Sequence, residues 1–112
     1  MNKYRNKKII IDGIKFDSIR EGAVYVDLKK QLKMGQIKAL ELQMPFTLQE
    51  AFKDEYGACR AIKYKADFVV THNDGLEEII DVKGYETEAF KLKWKMLRKL
   101  QYGKGTKLTI MK

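Results

Sequence analysis

The sequence predicts an α/β chain of α+β type. A mixed central sheet is flanked by two helices and preceded by a small β-hairpin. Three observations carry this. Two stretches, from Ser18 to about Met34 and from Thr87 to about Gln101, repeat apolar residues at helical spacing between cap-like ends. Between them lie runs alternating at the strand period. The dipeptides Asp12-Gly13 and Asp74-Gly75 sit between such runs and mark hairpin turns.

The chain has 112 residues, with 45% hydrophobic and 34% charged. That length fits one domain, residues 1–112, and the composition is globular, not disordered. The net charge is +8. Such an excess favours a polyanionic partner or serves to keep the surface solvated; composition alone does not choose. Cys59 is the one cysteine, so no internal disulfide forms. No leader pattern and no apolar run long enough for a bilayer stands out, so an intracellular, cytoplasmic and reduced setting is expected.

In chain order, residues 1–8 carry Lys3, Arg5, Lys7 and Lys8, a basic arm for phosphates or a frayed end. Residues 9–16 form a hairpin turning at Asp12-Gly13. Ser18 with Glu21 matches a capping box, and Gly35 stops the helix. Glu21 also heads the stripe Tyr25, Leu28, Leu32. It is therefore either a cap residue or an acid aimed along the sheet. Ile37 to Gln43 reads as a strand, with Leu40, Leu42 and Met44 on one face, ended or made an edge by Pro45. Phe46 to Leu48 is a short extension, and residues 49–59 read as an irregular connection.

Arg60 to Val70 is the next strand. Alternation places Ile62, Tyr64, Ala66, Phe68 and Val70 on one side and Lys63, Lys65, Asp67 and Val69 on the other. The stretch Glu78-Ile79-Ile80-Asp81-Val82-Lys83-Gly84 follows. Asp81 and Lys83 share a strand face, as an ion pair or as half of a metal-dependent site. The turn decides the register. A two-residue turn puts Asp67 and Asp81 on opposite faces. A three-residue turn, Asn73-Asp74-Gly75, makes His72 oppose Leu76 and Asp67 oppose Asp81. The second is expected, and two carboxylates so close need a cation between them.

In the second helix Phe90, Trp94 and Leu97 form the apolar stripe, widened by Ala89, Leu92, Met96 and Leu100. Lys91, Lys95, Arg98 and Lys99 make the basic face. Lys93 interrupts the apolar arc, to snorkel or to reach an anionic site. Gly103 and Gly105 end this helix, and Thr106 to Met111 is a last strand. His72 is read as an exposed loop residue, and Glu41, Glu77 and Glu78 as surface charges. Carboxylates beside a lysine suit Mg²⁺, which binds through one or two acids plus phosphate and water.

Glu21, Asp67 and Asp81-Val82-Lys83, on the order α-β-β-β-α-β, resemble the PD-(D/E)xK nuclease superfamily. The chain resembles more closely a family of small phage and prophage proteins with that core, described as endonuclease-like or Holliday-junction-resolvase-like. The likeness runs through residues 11–18, 40–43, 61–68, 81–84 and 91–95. It implies a restriction-endonuclease-like core and Mg²⁺-dependent cleavage of DNA, with Mn²⁺ able to substitute. Asp67 and Asp81 would be metal ligands, Lys83 the catalytic lysine and Glu21 the acid completing the cluster. Lys63, Lys65, Lys91, Lys93 and Lys95 would contact DNA. Ala66 stands where the superfamily name places a proline. Gln43 is an accessory candidate. Resolvases cut symmetric strands, so that version implies a homodimer, with the apolar arc of the second helix available as interface. The rival reading is a basic DNA-binding or anti-host protein on the same fold, without cleavage.

Overall fold

The computed structural model describes residues 7–112. Lys3 and Arg5 of the basic arm lie outside the described residues; Lys7 and Lys8 are exposed and outside any strand.

Strands β1 (Ile9–Ile11) and β2 (Ile14–Phe16) form the expected hairpin. Its turn residues Asp12 and Gly13 both take positive φ, 54° and 76°, as a tight two-residue turn requires. Helix α1 (Ile19–Lys33) follows, with Ser18 as N-cap accepting from the Glu21 amide at 3.0 Å. Gly22 lets the hairpin lie close on this helix. A Cβ there would stand 2.9 Å from Ile11 Cδ1 and 3.0 Å from Ile9 Cγ2.

The main sheet contains β3 (Ala39–Gln49), β6 (Ile62–Thr71), β7 (Glu77–Val82) and β8 (Lys107–Met111), in the order β3-β6-β7-β8. The first three are antiparallel, and β8 runs parallel to β7. The parallel pair needs a crossover, which α2 (Glu88–Gln101) supplies, with Thr87 as N-cap. The fold is thus α+β with a mixed sheet, two helices and an N-terminal hairpin. Among the described residues no helix is long and apolar enough to cross a membrane.

Three details differ from expectation. Of the two readings of Pro45, strand end or edge marker, the edge holds, and β3 has other bounds than expected. It starts at Ala39, runs to Gln49 and keeps Pro45 paired opposite Lys65. It tolerates the missing N–H because it is the sheet's edge strand. The 49–59 connection is not irregular; it contains a hairpin, β4 (Phe52–Asp54) with β5 (Gly57–Cys59). Every residue in these two strands is exposed, so no apolar alternation announces them.

The third difference concerns faces. Two cores lie on the two sides of the sheet. Tyr25 and Leu28 of α1 pack with Phe16, Ile37, Phe68, Val70 and Ile80, joined by Leu40 and Leu42. Phe90 and Leu97 of α2 pack with Tyr64, Ala66, Val69 and Ile79, joined by Met44, Phe46 and Trp94. Leu42 and Met44 therefore belong to different cores, as do Ala66 and Phe68. Simple alternation fails between them because Gln43 takes φ 52°, which turns the strand over. The pairs Leu42↔Phe68 and Met44↔Ala66 hold on either side, so β6 turns with it. On α2, Ala89, Leu92 and Leu100 do not widen the core stripe; they are exposed.

Candidate active site

The expected register is present. His72 N–H donates to the Leu76 carbonyl at 2.8 Å, and Gly75 N–H to that of His72 at 2.9 Å. This is the three-residue turn, with Gly75 at φ 90°. The ladder then runs from Thr71↔Glu77 to Phe68↔Ile80. One step further Asp67 stands opposite Asp81, but the backbone ladder has stopped at Phe68↔Ile80. The Asp67 carboxylate accepts the Val82 N–H at 2.8 Å, in place of a backbone carbonyl. Strands β6 and β7 part here. Strand β6 continues with β3 while β7 continues with β8, and two acids sit at the parting.

Asp81 is 2% exposed. Its Oδ2 accepts a short hydrogen bond from the Tyr64 hydroxyl. Its Oδ1 lies 3.9 Å from Lys83 Nζ. That ammonium also sits 4.8 Å from the centre of the Phe90 ring, which limits its freedom. Phe90 and Trp94 in turn pack on Tyr64, with ring centres 6.4 and 5.9 Å away. One aromatic cluster from α2 and β6 thus holds both the acid and the lysine.

Glu21 is buried at the first turn of α1. It does both things weighed from the sequence. Its amide takes the Ser18 cap, while its carboxyl sits within electrostatic reach of Asp81 and Lys83. A pocket of about 590 Å³ is bordered by Glu21, Asp67 and Lys83, together with Arg20, Tyr85 and Thr87. Residues from the starts of both helices therefore border the site, where the positive ends of the helix dipoles favour an anion. Gln43 falls opposite Asp67 on the β3 side, and its amide donates to the Lys15 carbonyl at 3.3 Å. Lys63, Lys65, Lys91 and Lys95 are exposed; Lys93 is half-buried.

The electrostatics are those of crowded acids. Burial pushes the Asp67 carboxyl up to about 8, aided by a hydrogen bond with Asp81 and by its charge. The Val82 amide opposes the rise, and Glu21 adds to it. Burial, then Asp17 and Asp81, raise the Glu21 carboxyl, against the Asp17 amide and Lys83. Burial and the bond to Asp81 push the Tyr64 hydroxyl far above its usual range, so it remains a donor.

Residues 1–112 match the family described as protein of unknown function (DUF1064). The chain belongs to that family. No curated protein and no solved structure matches it.

Whether the DUF1064 chain suits a divalent ion is decided by its donors. Among the described residues no three His, Cys, Asp or Glu side chains close on one point. Asp67 and Asp81 offer two carboxylates, each with one oxygen held by Val82 or Tyr64. Mg²⁺ binds through one or two carboxylates and completes its shell with phosphate and water, so the pair fits that ion. Burial is the main cause of the raised Asp67 carboxyl, and a cation between the two acids would oppose it and the added repulsion from Asp81.

Tyr64 was missed from the sequence because alternation made it plain core. A signal was present: a tyrosine placed in the core needs a partner for its hydroxyl, and here that partner is Asp81 on another strand. A second set of contacts overturns another reading. Glu78 is not a surface charge but is buried, with its carboxylate bonded to Thr109 Oγ1 and, at 2.8 Å, to His72 Nε2. Burial works to raise this carboxyl, but Thr109, His72 and Lys107 lower it overall. His72 is consequently tied down and not a free loop residue. Glu41 and Glu77 are exposed, as expected.

Proposed function

We propose that this protein is a Mg²⁺-dependent endodeoxyribonuclease of phage type with a restriction-endonuclease-like core, hydrolysing DNA phosphodiester bonds in branched substrates such as the Holliday junction. One observation carries the reading. Glu21 of α1, Asp67 of β6 and Lys83, just after β7, border one pocket where β6 and β7 part, and buried Asp81 of β7 lies 3.9 Å from the Lys83 ammonium. The order α1-β3-β6-β7-α2-β8 supports it, since this is the α-β-β-β-α-β order the sequence resemblance implies.

Asp67 and Asp81 would hold the ion; when bound, it supplies charge neutralisation at the phosphate and a lower pKa for the attacking water. Tyr64 fixes the rotamer of Asp81. Lys83, set between Asp81 and Phe90, orients the water and stabilises charge on the phosphoryl oxygens. Glu21 completes the acidic wall. Lys91 and Lys95 lie on the exposed side of α2, where the phosphate backbone would run. Paired cuts in a junction require two copies, and exposed Leu92 and Leu100 give α2 apolar surface for that pairing.

The test is incubation with supercoiled plasmid and with a four-way junction, in Mg²⁺ or EDTA, beside Asp81→Ala. Metal-dependent nicks that vanish in the variant are expected, with paired symmetric cuts in the junction. Binding of DNA that is indifferent to EDTA, without nicks, favours the non-catalytic DNA-binding alternative.

A further inference from the structure

The positive charge is not spread along the chain. All 15 acidic residues lie at or before Glu88, and the first 88 residues hold as many basic ones. The net charge of +8 therefore resides wholly in residues 89–112, on α2, the loop after it and β8.

Within that segment the cations are aligned. Lys91, Lys95 and Arg98 are spaced i, i+4 and i+7, one stripe along the helix, and Tyr102, the C-cap, follows at its end. All four are exposed. The stripe starts one turn from Thr87, which borders the acid pocket. It ends in an open groove of about 810 Å³ between the last turn of α2 and β8. Gly103 and Gly105, at φ 79° and 76°, turn the chain back to form the groove's end. Thr106 is held to Gln101 by a 3.1 Å hydrogen bond. Lys95, Arg98, Lys99, Tyr102 and Leu108 line the groove, and no carboxylate does. Tyr102 is 77% exposed, a large ring left against solvent amid cations.

An aromatic plate beside a cationic groove is how proteins hold single-stranded nucleic acid: bases stack on the ring and phosphates pair with the cations. We propose that this groove is a second nucleic-acid contact. Tyr102 stacks a base of a single-stranded or splayed segment, and Arg98 and Lys99 hold its phosphates. A 14-residue helix spans about 21 Å, so this grip lies about 20 Å from the acid cluster. The stripe between carries the backbone from one end to the other. The proposal rests on the nucleic-acid half of the reading above, not on cleavage. A concave groove with a stacking plate fits a polynucleotide better than a flat anionic bilayer.

The test is fluorescence anisotropy in EDTA with the full-length chain. Its probes are a labelled single strand of about 20 nucleotides, longer than one typical single-strand site, and its blunt duplex. The variants are Arg98→Glu with Lys99→Glu, Tyr102→Ala and Tyr102→Phe; all change exposed side chains, so the fold is retained. The double reversal should weaken single-strand binding at least about tenfold and lower the salt slope by about two. Tyr102→Ala should weaken single-strand binding by about 5- to 100-fold and leave the duplex unchanged, while Tyr102→Phe keeps wild-type affinity. If the reversal and Tyr102→Ala stay within about twofold of wild type, the groove is refuted while the nuclease reading stands. The same follows if Tyr102→Ala affects strand and duplex alike. In a parallel arm with phosphatidylserine vesicles, defects confined to the vesicles would likewise overturn it. If the wild type binds neither DNA, both readings fall.

Discussion

Asp67 reports on the state of the site. It is an acid held protonated by burial and by a neighbouring carboxyl, with an ordinary pKa near 4 in the unfolded chain and about 8 in the folded one. The folded state binds this proton more tightly. Its contribution to stability is therefore full below about pH 4 and is lost as the pH rises towards 8. Metal-free protein should show a falling melting temperature between pH 5 and 8, and Asp67→Asn should flatten that fall. Added Mg²⁺ should restore the lost stability at pH 8 in the wild type alone. Tyr64 acts on the other acid. Tyr64→Phe keeps the ring against Phe90 and Trp94 but removes the donor to Asp81. Cleavage should fall by about 10- to 100-fold, with a higher Mg²⁺ concentration for half-maximal rate. An unchanged metal requirement would make Tyr64 only a packing residue.

At the scale of elements, what could be read in advance was local chemistry. The Asp12-Gly13 hairpin, the Ser18 cap, the Gly35 stop and the Asn73-Asp74-Gly75 turn each follow from residue type and spacing. That last turn alone set Asp67 against Asp81. The failures were non-local. Met44 and Leu42 share sequence parity yet enter different cores, because one left-handed residue, Gln43, reverses the faces of β3 and β6 together. Glu78 looked like surface because its partners His72 and Thr109 come from a turn and from β8. Left-handed geometry costs a residue with a Cβ about 1 kcal/mol or more. Gln43→Gly should therefore raise stability by up to about 1 kcal/mol, and Gln43→Val should lower it by about 1–2 kcal/mol, by urea titration. Both variants losing stability alike would show that the side chain, not the backbone, matters. The β4–β5 hairpin contributes no core. Replacing residues 51–60 with a short turn should leave the melting temperature nearly unchanged.

Over the whole molecule, the two proposed contacts lie at the two ends of α2. Its first turn borders the acids at the parting of β6 and β7, and its last turn borders a cationic groove. The first 88 residues are balanced in charge and hold the acid cluster, and the last 24 carry the whole net charge of +8. The account depends most on Asp67 and Asp81 forming one divalent-cation site. Calorimetric titration of Mn²⁺ into the metal-free protein at pH 8 tests this without any substrate. The account predicts one ion per chain in the wild type, with proton release as Asp67 ionises, and no such binding in Asp67→Asn or Asp81→Asn. Equal binding by the wild type and both variants would contradict it.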